Sequence, residues 1–84
     1  MQKSIHSAHY AVFLKVLKQA REDAELSQVQ LARKISETQT FVSKCERGER
    51  RIDVIELRTF CKAFGVTLKQ FVSAVERAVG ASRN

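Results

Sequence analysis

The chain has no proline, three glycines and two cysteines among its 84 residues, and each scarcity excludes something. Without proline nothing breaks a helix from within, and apolar residues recur at helical spacing between the glycines at 48, 65 and 80, so the chain reads as all-α. No period-two run bounded by turn residues is long enough for a strand, and neither an internal repeat nor a low-complexity linker occurs. Cys45 and Cys61 form no CxxC pair and have no histidine at zinc-finger spacing, which leaves them as reduced core thiols. A small secreted domain would carry more cysteines, and no tripartite signal opens the chain, so a cytoplasmic setting is expected. The apolar run from Ala11 to Leu14 is cut by Lys15 and Lys18, far short of a membrane span.

What remains is an ordinary globular composition, 44% apolar and 29% charged, in a chain sized for one domain. A domain this small hides only about 60–65% of its unfolded surface, so its core has little room for a substrate pocket. An enzyme is disfavoured, and neither cofactor, metal nor small-molecule substrate is expected. His6 and His9, spaced i, i+3, could start a metal site, but they lack a third ligand and have no nucleophile or orienting acid for catalysis. The net charge of +6 and pI near 9.8 match the basic footprint of a nucleic-acid partner. Lys15, Lys18, Lys62 and Arg77 read most simply as solvated helix faces.

Helix starts are legible from capping chemistry. Ser27 with Gln30, Asp53 with Glu56 and Thr67 with Gln70 each place a capping side chain three residues before a Glu or Gln that can return the bond. Thr38 is a cap by type, although Phe41 leaves its box incomplete. The spacing predicts helices over 7–24, 28–35, 39–47, 54–64 and 68–79, with glycines 48, 65 and 80 as stops. The first carries Tyr10, Phe13, Leu14, Leu17 and Ala20 on one stripe; the second should bury Val29, Leu31, Ala32 and Ile35. The tail past Gly80 and the first seven residues are expected to fray.

Two short helices joined by a tight turn form a helix-turn-helix, whose second helix can enter the DNA major groove. With side chains of the third helix placed 100° apart from Gln39, Val42 and Cys45 fall near about 300° and 240°, toward the core. Gln39, Ser43, Thr40 and Lys44 spread over about 0–140°, a polar face able to read base edges. Phe41, near about 200°, stands between core and groove: it either touches a thymine methyl or packs on the adjacent loop.

Residues 26–71 resemble the XRE group of bacterial and phage regulators, relatives of lambda-type repressors and Cro. The likeness rests on the Ser-Gln opening of the second helix, Leu31-Ala32, the Gln-Thr-Phe-Val-Ser-Lys helix, the Glu-Arg-Gly stop and the Phe-Gly-Val-Thr link. It implies a five-helix lambda-repressor-like domain spanning the chain and a regulator that binds double-stranded DNA sequence-specifically. Gln39, Thr40 and Lys44 match base-reading positions, with Ser43 beside them. Gln28 matches a phosphate clamp that braces Gln39, placed with Ser27 at a helix N-terminus that favours anions. Thr38, Arg47, Arg50 and Arg51 would touch the DNA backbone. Arg21 and Glu46 match a structural charge pair between the first and third helices.

Glu25 and Ser36 depart from the pattern, standing where glycine is usual; neither favours a left-handed backbone, so some rearrangement of the turn is expected. Phe71, Val72, Val75 and Val79 offer the last helix more apolar surface than it needs, either as a two-fold interface or as cover for the chain's own core. The resemblance fits a repressor that occupies a near-palindromic operator as a homodimer. The alternative is an interaction module on the same scaffold, for a toxin or co-regulator. Prophage repressor, restriction-modification controller and antitoxin are all open as settings.

Overall fold

The computed structural model describes residues 7–82. Five helices follow one another, α1 (Ala8–Asp23), α2 (Gln28–Lys34), α3 (Gln39–Glu46), α4 (Val54–Phe64) and α5 (Leu68–Ser82), with no strand among the described residues. Each start is made by a capping side chain. The Ser7 hydroxyl accepts from the Tyr10 amide at 3.1 Å, and Ser27 and Asp53 close reciprocal boxes with Gln30 and Glu56. Thr67 and Gln70 exchange bonds of 3.0 and 2.9 Å. The Thr38 hydroxyl accepts from the Phe41 amide at 3.0 Å, with nothing in Phe41 able to return the bond.

Four helix ends share one solution. Glu25, Ser36, Gly48 and Gly65 take φ of 61°, 60°, 79° and 81°. The next amide then donates to the carbonyl five residues back: Leu26 to Arg21 at 3.2 Å, Glu37 to Ala32 at 2.9 Å, Glu49 to Lys44 at 2.9 Å and Val66 to Cys61 at 3.1 Å. The rearrangement expected at Glu25 and Ser36 therefore does not occur; both residues accept the left-handed backbone because it satisfies carbonyls the helix would otherwise orphan. We expect Ser36→Gly and Glu25→Gly each to add about 1 kcal/mol of stability, raising the thermal midpoint by about 4–8 °C. A lowered midpoint would show that the left-handed backbone is unstrained there.

Gly80 does not stop α5, which runs on to Ser82. A glycine in a helix interior costs about 1 kcal/mol but does not forbid it. At Gly48 and Gly65 the chain has to reverse into the next segment, and at Gly80 it does not.

The core is Leu17, Leu31, Ala32, Val42, Cys45, Leu57, Phe60, Cys61, Phe64 and Phe71, drawn from every helix. Val29 is not part of it and stays 46% exposed. It lies about 110° from the centre of the stripe made by Leu31, Ala32 and Ile35, beyond the reach of the buried face of the seven-residue α2. Phe71 meets Phe13 edge-on at 6.0 Å, and α1 lies along α5 as the most extensive helix pair, with α2 on α3 next. The thiols of Cys45 and Cys61 are free and fully buried; burial pushes Cys45 up to about 11, so it packs as a small hydrophobe.

Candidate nucleic-acid interface

α3 is short, and its fit to the core is set by two residues. Val42 and Cys45 are wholly buried, which turns Gln39, Thr40 and Lys44 outward as an exposed polar row with Ser43 half-buried beside them. The turn at 35–38 and the Thr38 cap bring the start of α3 beside the start of α2, close enough for Gln39 to meet Gln28.

A chain of hydrogen bonds runs from inside the domain to that exposed row. Arg21 and Glu46 are closed as a bidentate ion pair, Nε to Oε2 at 2.7 Å and Nη2 to Oε1 at 3.1 Å, with side chains only 10% and 5% exposed. Arg21 Nη1 also donates to the Leu26 carbonyl at 2.8 Å, tying the α1–α2 turn to the pair. The Glu46 hydrogen bond holds the Arg21 guanidinium even more firmly protonated than usual. Gln28 Nε2 donates to Glu46 Oε1 at 3.0 Å, and Gln39 Nε2 donates to Gln28 Oε1 at 2.7 Å.

The direction of this relay is fixed by chemistry. An ionised carboxylate only accepts, so Gln28 must turn its NH2 to Glu46 and its carbonyl toward Gln39. Gln39 must then donate, which leaves its own Oε1 and one N–H facing outward. An acceptor beside a donor is the pattern that pairs with adenine N6 and N7.

The remaining sequence-marked residues are placed as follows. The Ser27 and Thr38 hydroxyls are engaged as caps, exposed at the mouth of α2 and α3. Arg50 donates through Nη1 and Nη2 to Glu56 at 2.9 and 2.8 Å, through Nη1 again to the Arg51 carbonyl at 2.8 Å, and lies 4.7 Å over the Phe41 ring. Its hydrogen bonds hold Glu56 below the usual carboxylate range. Arg51 lies 4.6 Å over the Tyr10 ring. Arg47 pairs with Glu49, Nε to Oε2 at 2.9 Å, and donates to the Ser43 hydroxyl. Phe41 packs on Phe60 at 6.3 Å, beneath Arg50. On α5, Phe71 is buried in this chain's own core, Val75 is packed against that core and Val79 is half-buried; only Val72 is well exposed.

Sequence reasoning missed Glu49, Glu56 and Tyr10, the partners that occupy the arginines. The doubled use of Glu56 was the hardest to see, since it also returns the Asp53 capping bond at 3.0 Å. Arg50 thereby staples the α3–α4 loop to α4. We expect Arg50→Ala to lower the thermal midpoint by a few degrees while leaving the salt dependence of any DNA binding near that of the wild type, because its guanidinium is already engaged by Glu56, the Arg51 carbonyl and the Phe41 ring. A flattened salt slope with an unchanged midpoint would instead place Arg50 on phosphate.

Little else among the described residues competes as a site. Among the described residues no group of three His, Cys, Asp or Glu is placed to hold a metal, His9 is exposed and His6 lies outside the described residues. No described helix is long and apolar enough to cross a membrane. A broad open groove between α1 and α5 has an apolar floor that includes Val16, Ala20 and Phe71, and is also lined by Lys15, Asp23 and Gln70.

A helix-turn-helix family profile matches residues 17–71. Control protein C.MunI from Mycoplasma sp is 30% identical over 63 residues, covering 75% of this chain and 85% of that protein. The solved structure of an XRE-family like protein from Pseudomonas syringae pv. tomato str. DC3000 superposes with a TM-score of 0.79 at 40% identity, covering 88% of this chain and 90% of that one. With the capped α2–turn–α3 unit, the outward polar row and these relatives in agreement, the chain belongs to the XRE group of helix-turn-helix transcription regulators.

Proposed function

We propose that the chain inserts α3 into the major groove of a near-palindromic operator as a homodimer, and represses by occupying a promoter. The observation that carries this is the relay from Arg21 through Glu46 and Gln28 to Gln39, which holds a base-reading amide in one orientation before DNA arrives. Gln39, Thr40 and Lys44, with Ser43, face base edges. Ser27, Gln28 and Thr38 lie at the N-termini of α2 and α3, where free amides favour phosphate. Arg51, and Arg47 once released, orient the backbone.

Of the α5 residues expected at a two-fold interface, Val72 is left open at 44%, and Val54 and Ile55 at the start of α4 are open as well, at 59% and 70%. Two α3 helices would then read half-sites about one DNA turn apart. The likeness to a protein named as a control protein favours a controller over a prophage repressor or an antitoxin as the setting.

Selection of bound duplexes from a randomised pool at physiological salt, followed by sequencing, tests the reading. The expected result is a two-fold symmetric motif. No enrichment would overturn it and point to a protein partner such as a toxin or co-regulator.

A further inference from the structure

Arg47 caps the C-terminus of α3, and three of the five N–H groups of its guanidinium are used within that turn. Nε and Nη2 donate to Glu49 Oε2 and Oε1 at 2.9 and 3.1 Å, and Nη1 donates to the Ser43 hydroxyl. The Glu49 backbone is held in place by its amide bond to the Lys44 carbonyl at 2.9 Å, so the carboxylate is kept within reach of Arg47. Yet an anion at a helix C-terminus opposes the helix dipole. The stability of α3 therefore does not account for a glutamate here.

The two arginine pairs flanking this loop are built differently. Arg50 is backed by the Phe41 ring and by a carboxylate that also closes the Asp53 capping box. The Arg47 and Glu49 side chains are 53% and 52% exposed, and among the described residues no ring lies against either of them. A pair this open is readily exchanged. A phosphate presents to a guanidinium the same pair of oxygens that Glu49 presents now.

We propose that Glu49 is a built-in stand-in for DNA phosphate: it masks Arg47 and so lowers affinity for every duplex without changing which bases are preferred. The inference rests on the DNA-binding reading above and deepens it. The Arg47–Glu49 hydrogen bond holds Glu49 below the usual carboxylate range, so the mask is in place at neutral pH.

The test is a mutant cycle of wild type, Glu49→Gln, Arg47→Ala and the double variant. Each is titrated against a duplex carrying the selected site and a scrambled duplex over a range of KCl. Glu49→Gln should bind both duplexes about three- to tenfold tighter, with a log–log salt slope steeper by about 0.9, the signature of one more phosphate contact. The ratio between the duplexes should stay fixed, and the gain should vanish in the double variant. Three results would overturn the mask while leaving DNA binding intact: wild-type affinity in Glu49→Gln, a gain that survives Arg47→Ala, or an altered ratio between duplexes. Binding of neither duplex by any of the four proteins would overturn the DNA-binding reading and the mask together.

Discussion

Glu46→Ala will cost about 3–5 kcal/mol of folding stability, the largest single loss we expect outside the apolar core. The reason is what stays behind. Arg21 is 8% exposed and keeps its charge at any pH the fold survives, so removing the carboxylate leaves a buried guanidinium with only the Leu26 carbonyl as acceptor. A domain of this size has about 4–13 kcal/mol to lose. Urea unfolding followed by circular dichroism measures the change; a loss below about 1 kcal/mol would mean that Arg21 reaches water once Glu46 is gone.

A paired replacement separates stability from function. Arg21→Met with Glu46→Leu removes both charges and fills the space with apolar atoms. Exchanges of this kind are often neutral or stabilising. Here the Leu26 carbonyl also loses its donor, so the double variant should lie within about 1–2 kcal/mol of wild type. It should nonetheless discriminate less well between operator and scrambled DNA, because Gln28 no longer faces an obligate acceptor and can flip. A well-folded double variant with undiminished discrimination would show that the ion pair holds α1 to α3 and nothing more.

Local chemistry explains which features could be read from the sequence alone. Capping residues act within four positions, so the starts of α2, α4 and α5 were legible, and the α4 stop at Gly65 is equally local. The burial of Val42 and Cys45 followed from the 100° step alone. The ion pair between Arg21 and Glu46 spans 25 positions and no local rule reaches it; only resemblance to a family suggested it. The partners of the arginines were hidden for a different reason. Arg47, Arg50 and Arg51 form a basic cluster in the sequence, and a cluster reads as free charge until the loop is folded. In the fold each has its own neighbour: Glu49, Glu56 and the Tyr10 ring. Glu25 and Ser36 were misjudged because residue preference was weighed against the turn, when the carbonyls of Arg21 and Ala32 needed donors that only the left-handed turn supplies.

Gln39→Ala will lose about 1–3 kcal/mol of affinity on the selected operator, about 5- to 150-fold, and almost nothing on scrambled duplex. The asymmetry follows from the relay. Gln39 gives up one N–H to Gln28 and keeps an acceptor and a donor for a base, so its loss removes discrimination and leaves the phosphate contacts standing. Gln39→Glu is the sharper probe. A carboxylate cannot donate to Gln28 Oε1, so it sets two acceptors against each other and adds a negative charge at the groove; it should weaken both duplexes, and the operator more. Gln28→Ala should fall between the two, since it frees Gln39 to rotate and leaves Glu46 Oε1 with Arg21 alone. Fluorescence anisotropy on both duplexes at one salt concentration would rank the three. If Gln39→Ala and Gln39→Glu both bind as the wild type does, Gln39 faces solvent in the complex, and α3 is not the element in the groove.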